Sequence, residues 1–219
     1  MTNKTTHHPD QNMLIEFSAG TLETAASICV SAHLHFCASC RAQLLRLDQV
    51  GSQIMSQAEP VEVAEDALFQ VMEKIDSGDK AKPIETKVDG DMPFSVNKLI
   101  DTSLIDKNWK RLSSSVDVAR FKTGQDNFEV ALHKICAGGK TPKHGHEGLE
   151  YTVVLKGSFS DENAVYREGD FLLRQPGDVH QPMGAQNGEC ICLSALSAPI
   201  VPTSPLGFLM KPWLRINPM

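Results

Sequence analysis

The spacing of the apolar residues changes part-way along this 219-residue chain. Up to about Ile75 these residues recur every three to four positions, which is the period of an amphipathic helix. Beyond residue 94 they form short alternating runs, which are typical of half-buried strands. Between the two parts, residues 77–94 are rich in Asp, Lys, Gly and Pro and have neither period. This pattern predicts an all-α domain over residues 1–76, a linker over 77–94 and an all-β domain over 95–219.

The first part divides into four predicted helices, which favours a four-helix bundle. Asp10 is a good N-cap for the first helix and Thr21 for the second. The third helix is expected to follow Phe36 and to run to about Gln57, and Pro60 is expected to open the fourth.

The fourth predicted helix carries an apolar stripe opposite a row of acidic side chains. Its members recur at helical spacing and are Ala64, Ala67, Leu68, Val71, Met72 and Ile75. Such a face either closes the bundle or binds a partner, and the sequence pattern is the same in both cases.

The second part is predicted to contain short strands separated by Gly-rich turns. The predicted strands are Val116–Phe121, Phe128–Ile135, Glu150–Leu155, Ala164–Tyr166, Phe171–Arg174 and Cys190–Ala195. Strands of this length and spacing favour an antiparallel barrel or jelly roll.

A first metal-binding pattern, H-x3-C-x2-C, is formed by His33, Cys37 and Cys40. On a continuous helix these residues share one face, and a turn near Phe36 would still bring both thiols to one ion. A structural zinc site needs a fourth ligand, for which we select His8, ahead of the first helix. The alternative is two buried thiols beside solvent-facing histidines.

A second pattern, H-x-H-x3-E followed by a later histidine, lies in the predicted strands. His144 and His146 project to the same side of an extended segment, Glu150 begins the next strand, and His180 follows a Pro-Gly turn. Three imidazoles and a carboxylate suit zinc, although iron and other divalent metals accept the same ligands. Scattered surface histidines are the alternative interpretation.

The charge is unevenly distributed and argues against nucleic-acid binding. The net charge is -6, and residues 1–84 contain 6 Lys and Arg against 11 Asp and Glu. Such a surface repels phosphates and suits a basic protein partner, although solubility alone also explains it. The sequence has neither a run of about 20 apolar residues nor a secretory signal, which favours a cytoplasmic protein and no membrane partner.

The two metal motifs, with Gly157, Gly169-Asp170 and Pro176-Gly177-Asp178, resemble the paired motifs of the cupin fold. A cupin preceded by an acidic H-x3-C-x2-C module resembles the ChrR-type zinc-binding anti-sigma factors of bacteria. The resemblance covers nearly the whole chain, including the entry His-His pair.

This resemblance implies a function and two zinc sites. In that family the helical domain holds zinc, here through His8, His33, Cys37 and Cys40, and sequesters one extracytoplasmic-function-type sigma factor. The cupin holds a second zinc, here through His144, His146, Glu150 and His180. It is needed for release of the sigma factor on exposure to singlet oxygen or related oxidants. No catalytic residue is required, and the protein is expected not to be an enzyme.

Three further possibilities stay open from the sequence. Cys190 and Cys192 share one side of a strand, so they are either redox-sensing thiols or inert packing. A cupin dioxygenase with iron at the second motif is the alternative function. An exposed sheet edge leaves dimerisation of the free protein through the cupin open.

Overall fold

The computed structural model describes residues 5–78, 92–105 and 109–203. Its helices are α1 (Gln11–Ser18), α2 (Thr24–Phe36), α3 (Ala38–Ser56), α4 (Ala67–Ser77) and α5 (Phe94–Ser103). Most of the predicted linker 77–94 and the C-terminal segment 204–219 fall outside the described residues. No helix in the described ranges is both long and apolar enough to cross a membrane.

The predicted start of the first helix is confirmed. The carboxylate of Asp10 accepts a hydrogen bond from the Met13 amide at 2.8 Å, which satisfies one of the free N–H groups of the first turn. The helix ends before Gly20, whose φ of 71° lies in the left-handed region that favours glycine. The third helix also begins after Phe36 and ends at Ser56, as predicted.

The predicted start of the second helix is wrong. Thr21 donates its hydroxyl back to the Glu16 carbonyl at 3.3 Å, and α2 begins only at Thr24. Its first turn is capped from a distant loop instead, because Gln125 Oε1 accepts from the Ala25 amide at 2.9 Å. A cap that is 100 residues away leaves no local signal in the sequence.

The predicted start of the fourth helix is also wrong, since α4 begins at Ala67 and residues 60–66 are not helical. Val61 and Val63 are 86% and 79% exposed, so no packing compensates for the low helix propensity of β-branched residues. Ala64 therefore lies ahead of the helix that carries the rest of the predicted stripe.

The second part forms three antiparallel sheets. Its strands are β1 (Lys110–Arg111), β2 (Val116–Phe121), β3 (Glu129–Ile135), β4 (His144–His146), β5 (Glu150–Lys156), β6 (Ser158–Ser160), β7 (Val165–Arg167), β8 (Phe171–Arg174), β9 (Val179–His180), β10 (Met183–Gly184), β11 (Cys190–Leu196) and β12 (Ile200–Pro202). The largest sheet has the order β1-β2-β3-β11-β5-β8, and the smaller ones are β10-β6-β7 and β12-β4-β9. All six predicted strands are present; two have the predicted ends, and the ends of the other four differ by one residue at most.

The fold class is a helical N-terminal part followed by a cupin-like β part, and two finer predictions are not confirmed. None of the three sheets closes on itself within the described residues, so a closed barrel is not confirmed. A four-helix bundle is not confirmed either, because no residue of α4 is buried. Helix α2 instead packs against α5 and the large sheet. Periodicity identifies an apolar face but not the surface that covers it.

The helices and the large sheet share one hydrophobic core. Strands β5 and β11 are buried on both faces, which explains their nearly continuous apolar sequences. One face packs against α2, which in turn contacts α1, and the other faces the interior of the cupin. The shared core includes Met13, Leu14, Ala26, Val30, Phe121, Tyr151, Val153, Phe171, Leu193 and Ala195.

Candidate metal centres

The first candidate metal centre lies where three segments meet, namely the residues before α1, the end of α2 and the start of α3. The structure brings one ligand atom from each of His8, His33, Cys37 and Cys40 within 4.8 Å of all the others. Cys37 separates α2 from α3 with an extended backbone, φ -101° and ψ 102°. This break turns both thiols toward the histidines. Of the two geometries that the sequence allowed, the structure therefore has the turn near Phe36 and not the continuous helix.

The hydrogen bonds of this centre leave lone pairs directed inward. His33 Nδ1 donates to the Gly169 carbonyl at 2.6 Å, so Nε2 carries the free lone pair and lies 3.3 Å from Cys40 Sγ. His8 Nδ1 lies 3.4 Å from Cys37 Sγ and 3.5 Å from Cys40 Sγ. Burial lowers the pKa of His33 to about 4, so its imidazole is neutral at pH 7 and free to bind a metal.

The two thiols differ in acidity. Burial raises the pKa of Cys40 to about 12, and its contact with Cys37 adds to this effect. Burial also acts on Cys37, but hydrogen bonds from Thr5 and the Cys40 amide outweigh it and lower the pKa of that thiol. One thiol is therefore prepared to act as a thiolate, whereas the other keeps its proton until a cation displaces it.

The second candidate centre lies inside the cupin, between strands of different sheets. The ligand atoms of His144, His146, Glu150 and His180 also lie within 4.8 Å of one another. Both histidines of β4 are buried on the same side, with Gly145 between them. His180 pairs with His144 across β4 and β9, and Glu150 comes from the start of β5 in the large sheet. Strand pairing therefore positions two of the histidines, and the packing of one sheet on the other adds the carboxylate.

The Nε2 atoms of the three histidines in this group lie close together. His180 Nε2 lies 3.0 Å from His144 Nε2 and 3.1 Å from His146 Nε2. The Nδ1 atom of His144 donates to the Pro142 carbonyl, and that of His180 donates to Asp161. Since both histidines carry their protons on Nδ1, their Nε2 atoms face each other as acceptors, an arrangement that fits a cation bound between them.

The Glu150 carboxylate and the neutral imidazoles of the group also fit a bound cation. Glu150 Oε2 is 3.3 Å from His146 Nε2 and is buried without a hydrogen-bond partner within the described residues. Burial lowers the pKa of His144 to about 4 and that of His146 to about 3, so neither imidazole is protonated at pH 7. A buried orphan oxygen beside neutral imidazoles fits a divalent metal ion.

Asp161 supports this centre and was not identified from the sequence. It accepts from His180 Nδ1 at 3.2 Å and from the guanidinium of Arg174, which also donates to Tyr166 at 2.9 Å. Burial raises the pKa of Asp161, but hydrogen bonds from the Asn163 amide and His180 lower it below its usual value. The loop that contains Asp161 has no motif that would have indicated this role.

A cavity of about 320 Å³ opens beside the cupin centre. Its wall is mostly apolar, and its polar members include ligands of the centre. The lining includes Leu112, Val116, Ile135, Phe159, Leu172, Leu196 and Ile200, with His144, Glu150, His180 and Arg174.

The two cysteines of β11 lie at this interior face. Cys190 and Cys192 are buried, and their sulfur atoms are 3.6 Å apart. The contact with Cys190 and burial raise the pKa of Cys192 well above its usual value, so this thiol is protonated at neutral pH.

The predicted apolar stripe is exposed in this chain. Leu68, Val71, Met72 and Ile75 on α4 are between 48% and 74% exposed. Exposed apolar residues also occupy the second half of α3, where Val50, Ile54 and Met55 are 54%, 67% and 74% exposed. The sequence indicated the apolar residues of α3, but only the fold shows that nothing in the described part of the chain covers them.

The fold and the two centres together define a cupin with a second, Cys/His metal centre in a helical N-terminal part. Residues 97–198 match the family described as the ChrR cupin-like domain. The anti-sigma-E factor ChrR of Cereibacter sphaeroides is 34% identical over 210 residues, which cover 96% of this chain and 98% of that protein. The chain belongs to the family of ChrR anti-sigma factors.

A solved structure extends this similarity to three dimensions. The crystal structure of Rhodobacter sphaeroides SigE in complex with the anti-sigma factor ChrR matches with a TM-score of 0.75 and 33% identity. The match covers 88% of this chain and 99% of the matched chain, so both the helical part and the cupin are included.

Proposed function

We propose that this protein is an anti-sigma factor that sequesters one extracytoplasmic-function-type sigma factor in the cytoplasm and releases it in response to oxidants. The observation that carries this proposal is the similarity over nearly the whole chain to a ChrR protein that was crystallised with SigE. In this proposal residues 1–76 bind the sigma factor and residues 95–219 receive the signal. Binding is stoichiometric, and the activity is not enzymatic.

The surface proposed to bind the sigma factor is formed by α4 and the second half of α3. A helix with no buried residue and an apolar face is not stabilised by packing, and a partner that covers this face would supply that packing. The excess of acidic residues in 1–84 favours a basic partner and speeds its association.

We propose zinc for both centres. Two thiolates and two imidazoles form the ligand set of a closed structural zinc site, which would join the N-terminal residues to α2 and α3. Three imidazoles and one carboxylate also accept zinc, or another divalent metal. Such an ion would supply the positive charge that balances the lone pairs converging at each centre.

Release by singlet oxygen or a related oxidant is the regulatory part of the proposal. The cupin offers an apolar cavity that borders the metal ligands, which admits a small oxidant to these side chains. Cys190 and Cys192 are proposed as an auxiliary redox pair because their sulfur atoms are already 3.6 Å apart. Replacement of both by Ser should reduce the oxidant response in cells, and an unchanged response would exclude the pair as the sensor.

The binding surface is tested by co-expression with a sigma factor encoded beside this chain, followed by co-purification. Wild-type protein should form a one-to-one complex on gel filtration. Leu68→Asp and Ile75→Asp should weaken the complex at least tenfold, because each places an unpaired carboxylate in an apolar interface. The matched control, Gln70→Asp, adds the same charge on another side of α4 and should bind normally.

Metal content separates a failed interface from a failed fold. All three variants should retain wild-type zinc and circular dichroism spectra, because none of these side chains contacts either metal centre. Equal binding by Leu68→Asp, Ile75→Asp and the control would exclude α4 as the interface. Co-purification that resists a strong chelator would show that metal is not needed for the complex.

A further inference from the structure

The segment before α1 is held by a buried carboxylate of the cupin. Asp170 is 1% exposed, and its Oδ1 accepts from the amides of Thr6 at 2.7 Å and His7 at 3.1 Å. Its Oδ2 accepts from the Arg167 amide at 2.9 Å. The Phe171 amide donates to the His7 carbonyl at 3.0 Å, so both the amide and the carbonyl of His7 are bonded to the cupin.

This segment supplies His8, the ligand of the helical centre that lies ahead of the first helix. His8 directly follows the two residues that Asp170 holds, and its side chain is exposed. Residues near a chain end are well ordered only when bonds tie them down. Thr5 bonds to the Cys37 thiol, and the bonds to the backbone of Thr6 and His7, directly ahead of His8, come from Asp170 and Phe171 of the cupin.

The same turn orients a second ligand. Gly169 accepts from His33 Nδ1 at 2.6 Å and thereby directs His33 Nε2 toward the thiols. Its φ of 87° favours glycine, and an added Cβ would lie 2.5 Å from Thr5 and 2.6 Å from Phe36. The turn is therefore pressed between the N-terminal segment and the end of α2, where no side chain fits.

We propose that the Gly169–Asp170 turn of the cupin is an outer part of the helical metal centre. Asp170 is a positioning residue for His8, and the Gly169 carbonyl is the positioning group for His33. The inference rests on the metal centre proposed above and adds that its affinity is set from the other half of the molecule. Partners of this kind alter metal affinity by about 10- to 100-fold.

A chain of contacts also connects this turn with the cupin centre. The Tyr166 ring packs edge-on against the His7 ring with centroids 4.9 Å apart, and the Tyr166 hydroxyl is 3.3 Å from Asp161. Asp161 in turn accepts from His180, a proposed cupin ligand. These contacts form a continuous path of packed side chains from the cupin centre to the segment that carries His8.

The test is titration of the metal-free, full-length protein with Co²⁺. Only the helical centre contains thiolates, so its Co²⁺ complex has a sulfur-to-metal charge-transfer band that the cupin centre lacks. Asp170→Ala should lower the affinity read from this band by 10- to 100-fold, and Asp170→Asn, which keeps one acceptor oxygen, by less. Release of zinc to a chelator should accelerate in the same order.

A second pair of variants avoids any change in the cupin. Thr6→Pro removes the amide that donates to Asp170 at 2.7 Å, whereas Thr6→Ala keeps this amide and removes the hydroxyl, whose contacts with Asp170 are longer, at 3.4 and 3.5 Å. Thr6 is exposed, so both variants should fold. The proline variant should weaken the charge-transfer band clearly more than the alanine variant.

Val118→Ala distinguishes positioning from general stability. Val118 is 1% exposed and lies on β2, away from the turn, so its replacement lowers stability without touching the centre. Wild-type affinity in Asp170→Ala and Thr6→Pro, or a loss no larger than in Val118→Ala, would overturn the inference. No charge-transfer band in the wild-type protein would instead refute the proposed helical metal centre.

Discussion

At the scale of single residues, both centres depend on which nitrogen of each histidine carries the proton. His33 and His144 donate Nδ1–H to backbone carbonyls, and His180 donates to Asp161. Each bond leaves Nε2 as the lone-pair donor that faces the other ligands. The acceptors of these bonds should therefore affect metal affinity although none of them is a ligand.

The clearest test of this effect is Asp161→Asn. The variant loses the charge that orients His180 and balances Arg174, so zinc affinity of the cupin centre should fall about 10- to 100-fold. Competition with a chromophoric chelator measures the change. Asp117→Asn removes a carboxylate from a surface ion pair with Arg111 and Lys134 and should leave both affinities unchanged. An unaltered cupin affinity in Asp161→Asn would contradict the orienting role.

The two centres should differ in their response to pH. The Cys40 thiol has a pKa of about 12 and must lose its proton to bind a metal, so affinity of the helical centre should fall as pH decreases, about tenfold per pH unit for each proton displaced. His144 and His146, with pKa values near 4 and 3, are already deprotonated between pH 6 and 8. The cupin centre should therefore depend less on pH over this range, as chelator competition at pH 6, 7 and 8 can show. Equal slopes for both centres would contradict this difference.

At the scale of secondary-structure elements, helix α2 connects the two halves of the chain. It begins at a cap from Gln125, packs on the large sheet through its apolar side, and ends beside the turn that contacts His33. Its apolar periodicity was readable from the sequence. Its cap and its packing surface were not, because the cap is 100 positions away and the packing surface, α5 and the large sheet, is more than 50 positions away.

Loss of the distant cap should weaken α2. Gln125→Ala leaves the Ala25 amide without its acceptor and should lower the free energy of unfolding by about 1 kcal/mol. Urea unfolding followed by circular dichroism measures this change. Gln53→Ala, at an exposed position of α3, is the matched control and should change stability by less than about 0.5 kcal/mol. A similar result for both variants would show that the cap is not needed.

At the scale of the whole molecule, the helical part and the cupin should unfold together. Their core is continuous from α1 and α2 to the large sheet, so the sheet cannot lose its helices without exposing apolar surface on one face. Helix α4 is the exception, since it has no buried residue and contributes little to this unit.

Leu14→Ala tests the shared core. Leu14 lies on α1 and is 1% exposed, so its truncation should lower the free energy of unfolding by about 2–5 kcal/mol. Circular dichroism, which follows the helices, and fluorescence of Trp109 and Trp213, which both follow residue 94, should report the same shifted transition. Two separate transitions would show that the halves fold independently.

The sequence by itself determined the change from helices to strands, four of the five helices, six of the strands and the residues of both candidate centres. Those features depend on local spacing: an apolar period, a capping Asp10, a C-x2-C turn, and two histidines on one side of a strand. Features of this kind can be predicted because the residues that form each of them are only a few positions apart in the chain. The family resemblance rested on the same short motifs.

Only the tertiary structure decided what each apolar face covers and what holds each ligand in place. It packs α2 on the sheet and leaves α4 exposed. It also bonds Asp161 to His180, and Asp170 to the segment that carries His8. These contacts join residues far apart in the chain, and a buried carboxylate in a loop has the same local sequence whether it accepts from a neighbour or from a segment more than 160 residues away. The physical reason is that burial and hydrogen-bond partners are properties of the packed molecule, whereas period and spacing are properties of the chain.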